Sequence, residues 1–467
     1  MGNGPQRIVI VGGGVGGLTA ALALRDRGHA VTVVERNAEM GGKLAVRRRD
    51  GFTFDIGPSL VTLPHLFDSR VRERLQLVRL DPQFCYFWRD GDALTVTDAG
   101  TDRAGYREFV AHGERIWDIS ERTFFAGPMS NPLALMRRMR SPRDLSGIDP
   151  LRTLARSANA TFTDPHMRQW AGRYATYSGS SPFHAPATLG CIPAIESRYG
   201  CWYPVGGLSA LRDALVDAAQ AAGAQLMTSV EVTGVTAAAG RVTGVRLADD
   251  SHIVADLVVA NVDAEHLYRD LLHRPRALRR VQRAARSTSG FVVLAGVRGT
   301  TPGIAHHTVW FSDDSQQEFA ALEAGRFAAD PTVYACVSSV TDDSQAPAGH
   351  ENWFLLVNAP SGGEVDAVTY QQVVLDRLAA QGHDIRDRLL FTETITPADI
   401  ARRYRSPGGS IYGSSSNGRR AAFARPTNRG AVAGLYLVGG SSHPGGGLPL
   451  VTMSARIVVD MIDRDLR

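Results

Sequence analysis

Apolar positions along this chain switch between a strand period and a helical period, and the switch points predict its elements. Residues 7–11 (RIVIV) form a nearly unbroken apolar run, the pattern of a short strand buried on both faces. A turn follows, Gly12-Gly13-Gly14-Val15-Gly16-Gly17. Residues 18–27 then carry alanine and leucine at helical spacing up to Gly28, a residue suited to a helix C-terminus. Residues 29–35 (HAVTVVE) return to a strand. A strand–helix–strand unit of this length predicts a parallel sheet, the core of an α/β doubly wound fold.

The pattern then changes several times. Residues 37–64 are loop-rich, although Phe52, Phe54 and Ile56 alternate as one face of a strand before Gly57-Pro58. Residues 110–170 are more helical, rich in arginine and interrupted by prolines at 128, 132, 142 and 150, which predicts a separate lobe. At 203–207 a turn introduces a helix with Leu208, Leu211, Leu215 and Ala219 on one face, closed by Gly223. A strand is predicted over 225–235, and strands over 241–247 and 251–260 flank Ala248-Asp249-Asp250 as a hairpin. Between 290 and 400, the runs FVVLAGV, TVYACVSS and NWFLLVNA, with a helix near 366–381, predict a mainly antiparallel sheet. A last strand over 435–438 enters a glycine-rich turn and a helix over about 450–462.

Composition narrows the class. With 44% hydrophobic and 21% charged residues, the 467-residue chain reads as globular rather than disordered, and its length suffices for two or three domains. Only Lys43 among the 51 basic residues is a lysine. The arginines are dispersed rather than gathered in a basic arm, so no nucleic-acid partner is expected. Four cysteines without CxxC spacing predict free thiols rather than zinc or disulfides. No secretory signal and no apolar run of membrane-spanning length is visible, so a cytoplasmic location is expected. His306-His307 is adjacent rather than at i, i+4, a poor metal pair, and no metal is expected.

Glycine accounts for 48 residues, and 14 of these cluster at Gly12–Gly17, Gly41-Gly42, Gly206-Gly207 and Gly439–Gly447. In Gly12-x-Gly14-x-x-Gly17, the first glycine permits the turn, the second admits a pyrophosphate, and the third lets helix pack on strand. Glu35 closes the second strand, placed to accept hydrogen bonds from ribose hydroxyls. It disfavours a 2′-phosphate, with Arg36 the one neighbouring cation that leaves that ligand open. Gly41-Gly42 reads as a second backbone approach to ligand or as a surface turn. Asp55 is a charge in the site or a capping residue. The stretch from Tyr436 to Pro449 (YLVGGSSHPGGGLP) runs from strand to glycine loop to helix start, with Pro449 in the first turn. His443 within it is a ligand contact, an acid or a loop anchor. Trp170, Tyr174, Tyr177, Phe183, Trp202 and Tyr203 line an apolar tunnel or fill a core. Residues 115–150 mix Trp117, Phe124, Leu133 and Met136 with arginines, the composition of a lipid-facing patch or of a solvated face over a buried helix.

Taken together, VIVGGGVGGLTAALALRDRGHAVTVVERNAEMGGK, GFTFDIGPS, YPVGGLSALRDAL and LYLVGGSSHPGGGLPLVTMSAR resemble the bacterial phytoene desaturase family of FAD-dependent carotenoid desaturases. Lys43 stands where that family most often has arginine, and Ser442 where it has threonine. The resemblance implies a discontinuous Rossmann-like FAD-binding domain (1–110, 200–270 and 405–467). It also implies a mixed α+β substrate domain (111–199 and 271–404) with an antiparallel sheet and a helical, membrane-facing lobe. The implied cofactor contacts are Gly12, Gly14, Val15, Gly16, Gly17, Glu35, Arg36, Gly41, Gly42, Lys43, Pro58, Ser59, Val230, Gly439, Gly440, Gly447, Leu448, Pro449 and Val451. The second helix start would face the flavin and stabilise negative charge on it. The implied reaction is desaturation of a hydrophobic polyene by hydride transfer to flavin N5, with peripheral contact at the inner face of the cell membrane. Dehydrogenation of a secondary metabolite or amine, and non-redox polyene isomerisation, are the alternatives. His443 is the only catalytic candidate.

Overall fold

The computed structural model describes residues 4–95, 102–129 and 132–467. Its first unit is the one the apolar pattern predicts. Strand β1 (Arg7–Val11), helix α1 (Val15–Asp26) and strand β2 (Ala30–Val34) form the start of a five-stranded parallel sheet. In that sheet Leu257–Ala260 pairs with the other edge of β1, Leu435–Leu437 lies beyond it, and Gln225–Met227 lies beyond β2. Helix α1 begins at Val15 rather than at 18, because Gly16 and Gly17 lie in its first turn. The final helix, Leu448–Asp465, packs beside α1, so the two ends of the chain meet on one sheet.

Two expected strands divide. Residues 225–235 break at Ser229, whose φ is +57°, so that Gln225–Met227 joins the parallel sheet and Val232–Ala238 starts a three-stranded antiparallel one. Residues 251–260 divide likewise. His252–Val254 pairs back on Arg241–Leu247, while the fully buried Leu257–Ala260 enters the parallel sheet. The hairpin is correct, but its second arm serves two sheets, since only its last four residues are apolar on both faces.

A seven-stranded sheet forms the second half. Its order is Leu389–Ile395, Ser289–Arg298, His350–Ala359, Val333–Cys336, His307–Trp310, Cys85–Phe87 and Ala93–Thr95. All pairs are antiparallel except His307–Trp310 with Cys85–Phe87. Residues 85–95, which the sequence groups with the 1–110 cofactor segment, thus lie in this sheet. Aromatic packing holds them there: Tyr86 stacks on Phe311 at 5.9 Å and Phe87 on Trp310 at 6.1 Å. Helices Arg103–Thr123, Leu154–Thr161, Pro165–Arg173 and Cys191–Tyr199 form the expected lobe around Phe109, Phe162 and Trp170. Among the described residues, no helix is long and apolar enough to cross a membrane.

Candidate functional site

One cleft lies at the C-terminal ends of the parallel strands, the place where doubly wound sheets bind ligands. Of the expected cofactor residues, all but Gly17, Ser59 and Pro449 line it. Gly17 lies beneath, where α1 meets β1. Ser59 and Pro449 line an adjoining cavity. Val230 reaches the cleft because its N–H donates to the Glu35 carbonyl just past the break at Ser229.

The cleft is built to receive an anionic, extended ligand. Gly14 precedes helix α1 and Gly447 precedes the last helix as N-cap residues, and neither supplies a side-chain cap. Both therefore present free N–H groups and a partial positive charge to the cleft. Gly12 turns the chain at φ +99°, and a Cβ there would stand 2.6 Å from the Asn261 carbonyl oxygen. The buried Glu35 carboxylate accepts from the Gly13 N–H at 2.9 Å, and from the Asn37 N–H and side-chain amide at 2.9 and 2.7 Å. It retains acceptor capacity for ligand hydroxyls. This pair of uncapped helix starts and a backbone cradle fits a dinucleotide carrying a pyrophosphate.

Charged groups around the cleft are tied to backbone. Lys43 Nζ donates to the Ile411 carbonyl at 2.6 Å and lies 5.8 Å from the Tyr404 ring centre. Burial lowers its ammonium to about 8. Arg36 donates to the carbonyls of Arg402 and Arg403, fastening the end of helix Pro397–Tyr404 to the rim. Arg425, fully buried, donates to the carbonyls of Tyr412, Gly440 and Ser414.

His443 does not line the cleft. It is 1% exposed, its Nε2 hydrogen-bonds with the Gly127 carbonyl at 3.2 Å, and Phe124 meets its ring edge-on at 4.7 Å. Its own carbonyl accepts from Asn428 and Ser454. Burial lowers the imidazole to about 4, so it is neutral at ordinary pH. Of its three readings, the loop anchor is the one that this geometry matches.

Asp55 caps rather than lines. Helix Leu208–Ala221 begins at Gly207, which has no side chain, and Asp55 Oδ2 accepts from the Leu208 N–H at 2.7 Å in its place. Burial is the main influence on its carboxyl and raises it to about 6, against the opposing pull of the backbone N–H groups. The folded state then holds a proton between about pH 4 and 6 that the unfolded chain has released. Stability from this group is greatest below pH 4 and falls as pH rises through 6, by on the order of 3 kcal/mol. Asp55→Asn, which keeps an acceptor for Leu208, is expected to flatten this fall in thermal midpoints measured from pH 4 to 7. Parallel curves for both proteins would exclude it.

Sequence reasoning missed Asn261, Tyr404, Ile411, Tyr412 and Ser441 in the cleft wall. Asn261 has a legible signal. It directly follows a strand of the parallel sheet, and its Nδ2 donates to the Gly12 carbonyl at 3.0 Å. The segment around Ile411 has none, because it is irregular and is placed by the Lys43 and Arg425 bonds.

The adjoining cavity has a volume of about 710 Å³. It shares Gly57, Pro58, Phe354, Leu356, Ile411, Tyr412, Gly447 and Leu448 with the cleft. Of the six candidate tunnel aromatics, Tyr177 and Phe183 line it. Trp170, Tyr174 and Tyr203 are fully buried in the core, and Trp202 pairs in a two-stranded sheet. Asp90, Arg89 and Asp313 also line the cavity, and Arg89 pairs with Asp313 at 2.7 Å. Elsewhere, donor atoms of His306, His307 and Cys336 come within 4.8 Å of one another. Their spacing hides this, because Cys336 arrives opposite His307 from the next strand. Each histidine Nδ1 already hydrogen-bonds with a hydroxyl, of Thr341 or of Tyr334. Burial lowers His306 to about 3 and raises the Cys336 thiol.

The geometry defines a flavoprotein, and the chain belongs to the flavin containing amine oxidoreductase family, whose model matches residues 15–462. It is an FAD-dependent oxidoreductase. It is 32% identical over its full length to 4,4'-diapolycopene oxygenase of Methylomonas sp, covering 99% of that protein. It is 31% identical over 98% of its length to 4,4'-diaponeurosporene oxygenase of Staphylococcus haemolyticus, covering 97% of it. Identity is 30% with 1-hydroxycarotenoid 3,4-desaturase of Flavobacterium sp., over 98% of this chain and 99% of the relative. A putrescine oxidase triple mutant superposes with a TM-score of 0.70 at 16% identity, over 98% of this chain and 99% of that one. An oxidoreductase from Methanosarcina mazei superposes at 0.69 and 16%, over 97% and 100%. At such identity these two share the fold alone.

Proposed function

We propose that this protein oxidises a carotenoid-like polyene. The observation that carries the reading is the 710 Å³ cavity that shares a wall with the cofactor cleft, in a chain similar end to end to carotenoid oxygenases and a desaturase. In this reading Gly12, Gly14 and the first turn of α1 hold the pyrophosphate, with Gly17 allowing the helix to sit close behind. Glu35 holds the ribose, and Gly41, Gly42, Lys43, Gly439, Gly440 and Leu448–Val451 surround the flavin. Bound FAD supplies a two-electron acceptor, taking hydride at N5. The residues of the chain bind, orient and dry the reacting carbons: Pro58, Ile411, Tyr412 and Leu448 form the shared wall, and Phe311, Phe354 and Leu356 line the cavity. The exposed Leu133, Met136, Leu145 and Leu151 offer an apolar contact to the lipid surface from which such a substrate is drawn.

Anaerobic mixing of the yellow holoenzyme with an acyclic polyene in liposomes tests this. Bleaching of the flavin is expected, with a product two hydrogens lighter. A product of unchanged mass would instead mark isomerisation. A flavin bleached by amines and by no polyene would overturn the reading.

A further inference from the structure

Four arginines of the described chain are buried: Arg173, Arg212, Arg377 and Arg425. Three stand against oxygen acceptors, although Nε and Nη1 of Arg377 complete no hydrogen bond. Arg212 pairs with Glu39 and Asp213, Arg377 with Asp313 and Asp330, and Arg425 with three backbone carbonyls. Arg173 differs. Among the described residues its guanidinium has one hydrogen-bond partner, the Tyr177 hydroxyl at a long 3.4 Å, and no carboxylate at ion-pair distance. Glu196, the nearby acid, is taken by the hydroxyls of Tyr174 and Tyr177, both at 2.8 Å.

Aromatic faces hold the cation instead. The rings of Phe84, Tyr177, Tyr86, Tyr174 and Tyr334 lie between 4.7 and 5.9 Å from its central carbon. Cation–π contacts stabilise the charge but leave N–H donors of the guanidinium without acceptors. None of its nitrogens is both buried and unpartnered, so the remaining N–H groups stay accessible from the cavity, where an acceptor on a bound ligand would complete them. Arg173 lines the cavity, at the C-terminal end of helix Pro165–Arg173. Tyr334, one of its rings, hydrogen-bonds with Ser59 at 2.5 Å, next to Pro58 of the wall shared with the cofactor cleft. Arg173 is thus joined through Tyr334 and Ser59 to the wall shared with the cofactor cleft, whereas the exposed Arg89 already has Asp313.

We propose that Arg173 is a specificity-determining residue that binds an acceptor oxygen, a carboxylate or carbonyl, on the end group of the substrate. A pure hydrocarbon polyene supplies no such atom, so the inference narrows the substrate class to polyenes with an oxygenated end. It rests on the polyene reading for the identity of the chain attached to that oxygen, and on Arg173 alone for the oxygen itself.

The test uses the FAD-loaded protein and two probes in the same detergent, palmitoleate and 1-hexadecene, with binding followed by the shift in the flavin spectrum. Wild type is expected to bind the carboxylate at least about tenfold more tightly, the range of charge-assisted hydrogen bonds. Arg173→Met is expected to abolish the preference, and Arg173→Lys, which keeps the charge without the fork, to retain part of it. Flavin content and thermal midpoint are read for each variant. If Arg173→Met does not hold flavin, the wild-type preference and the lysine variant decide. Equal binding of the two probes to wild type, binding of neither, or an intact preference in Arg173→Met with full flavin content overturns the assignment. Carboxylate preference in a protein that no polyene bleaches would retain Arg173 and reject the polyene reading. Bleaching by a hydrocarbon polyene without carboxylate preference would do the reverse.

Discussion

Gly17→Val is expected to leave the purified protein nearly colourless. A Cβ at Gly17 would lie 2.3 Å from the Gly12 carbonyl oxygen, 3.1 Å from Asn261 Nδ2 and 3.3 Å from Ile10 Cγ2. None of these yields cheaply. The Gly12 N–H is fixed to the Val34 carbonyl at 2.8 Å, and its carbonyl accepts from Asn261. Helix α1 must therefore move off β1, and with it the free N–H groups of its first turn. Overpacking of this kind costs about 1–3 kcal/mol, and lost alignment with the phosphates adds to it. Flavin content, read as flavin absorbance relative to protein absorbance, is expected below about a tenth of wild type. A variant with full flavin content and an unchanged thermal midpoint would refute the close-packing role.

The second large effect is expected at Glu35. Its carboxylate joins three parts of the site: the glycine turn through Gly13, the following loop through Asn37, and the cleft it lines. Glu35→Ala strands the Gly13 N–H and frees the loop at 37, besides removing the acceptor for the ribose. A hydrogen bond to a charged group contributes about 1.5–3 kcal/mol. FAD is therefore expected to bind about ten- to a hundredfold more weakly, measured by equilibrium release of the flavin. Glu35→Gln, which keeps one acceptor oxygen, is expected to fall between. Wild-type affinity in the alanine variant would count against the ribose role.

The two mutations mark how much was readable from the chain. Gly12, Gly14, Gly17 and Glu35 stand within one short strand–helix–strand unit, where sequence distance fixes spatial distance. The alternation of Phe52 and Phe54, the helix start at Leu208 and the strand before Gly439 were legible for the same reason. Asn261, Ile411 and Tyr412 were not, since they enter the cleft through strand order in the sheet and a loop held by Lys43 and Arg425. His443 shows the converse. Its motif drew it toward the chemistry, whereas burial against Phe124 and Gly127 turned it into an anchor.

By itself the sequence determined the parallel strand–helix–strand unit and the glycine turns, because local periodicity and backbone freedom carry that information, while the meeting of first and last segments was implied by the family resemblance. Only the tertiary structure decided that residues 85–95 serve the seven-stranded sheet, that Asp55 caps a helix 153 residues away, and that Arg173 stands in a ring of aromatic faces with no carboxylate at ion-pair distance among the described residues. Those facts depend on which distant side chains share one buried volume, and packing, not spacing, sets that.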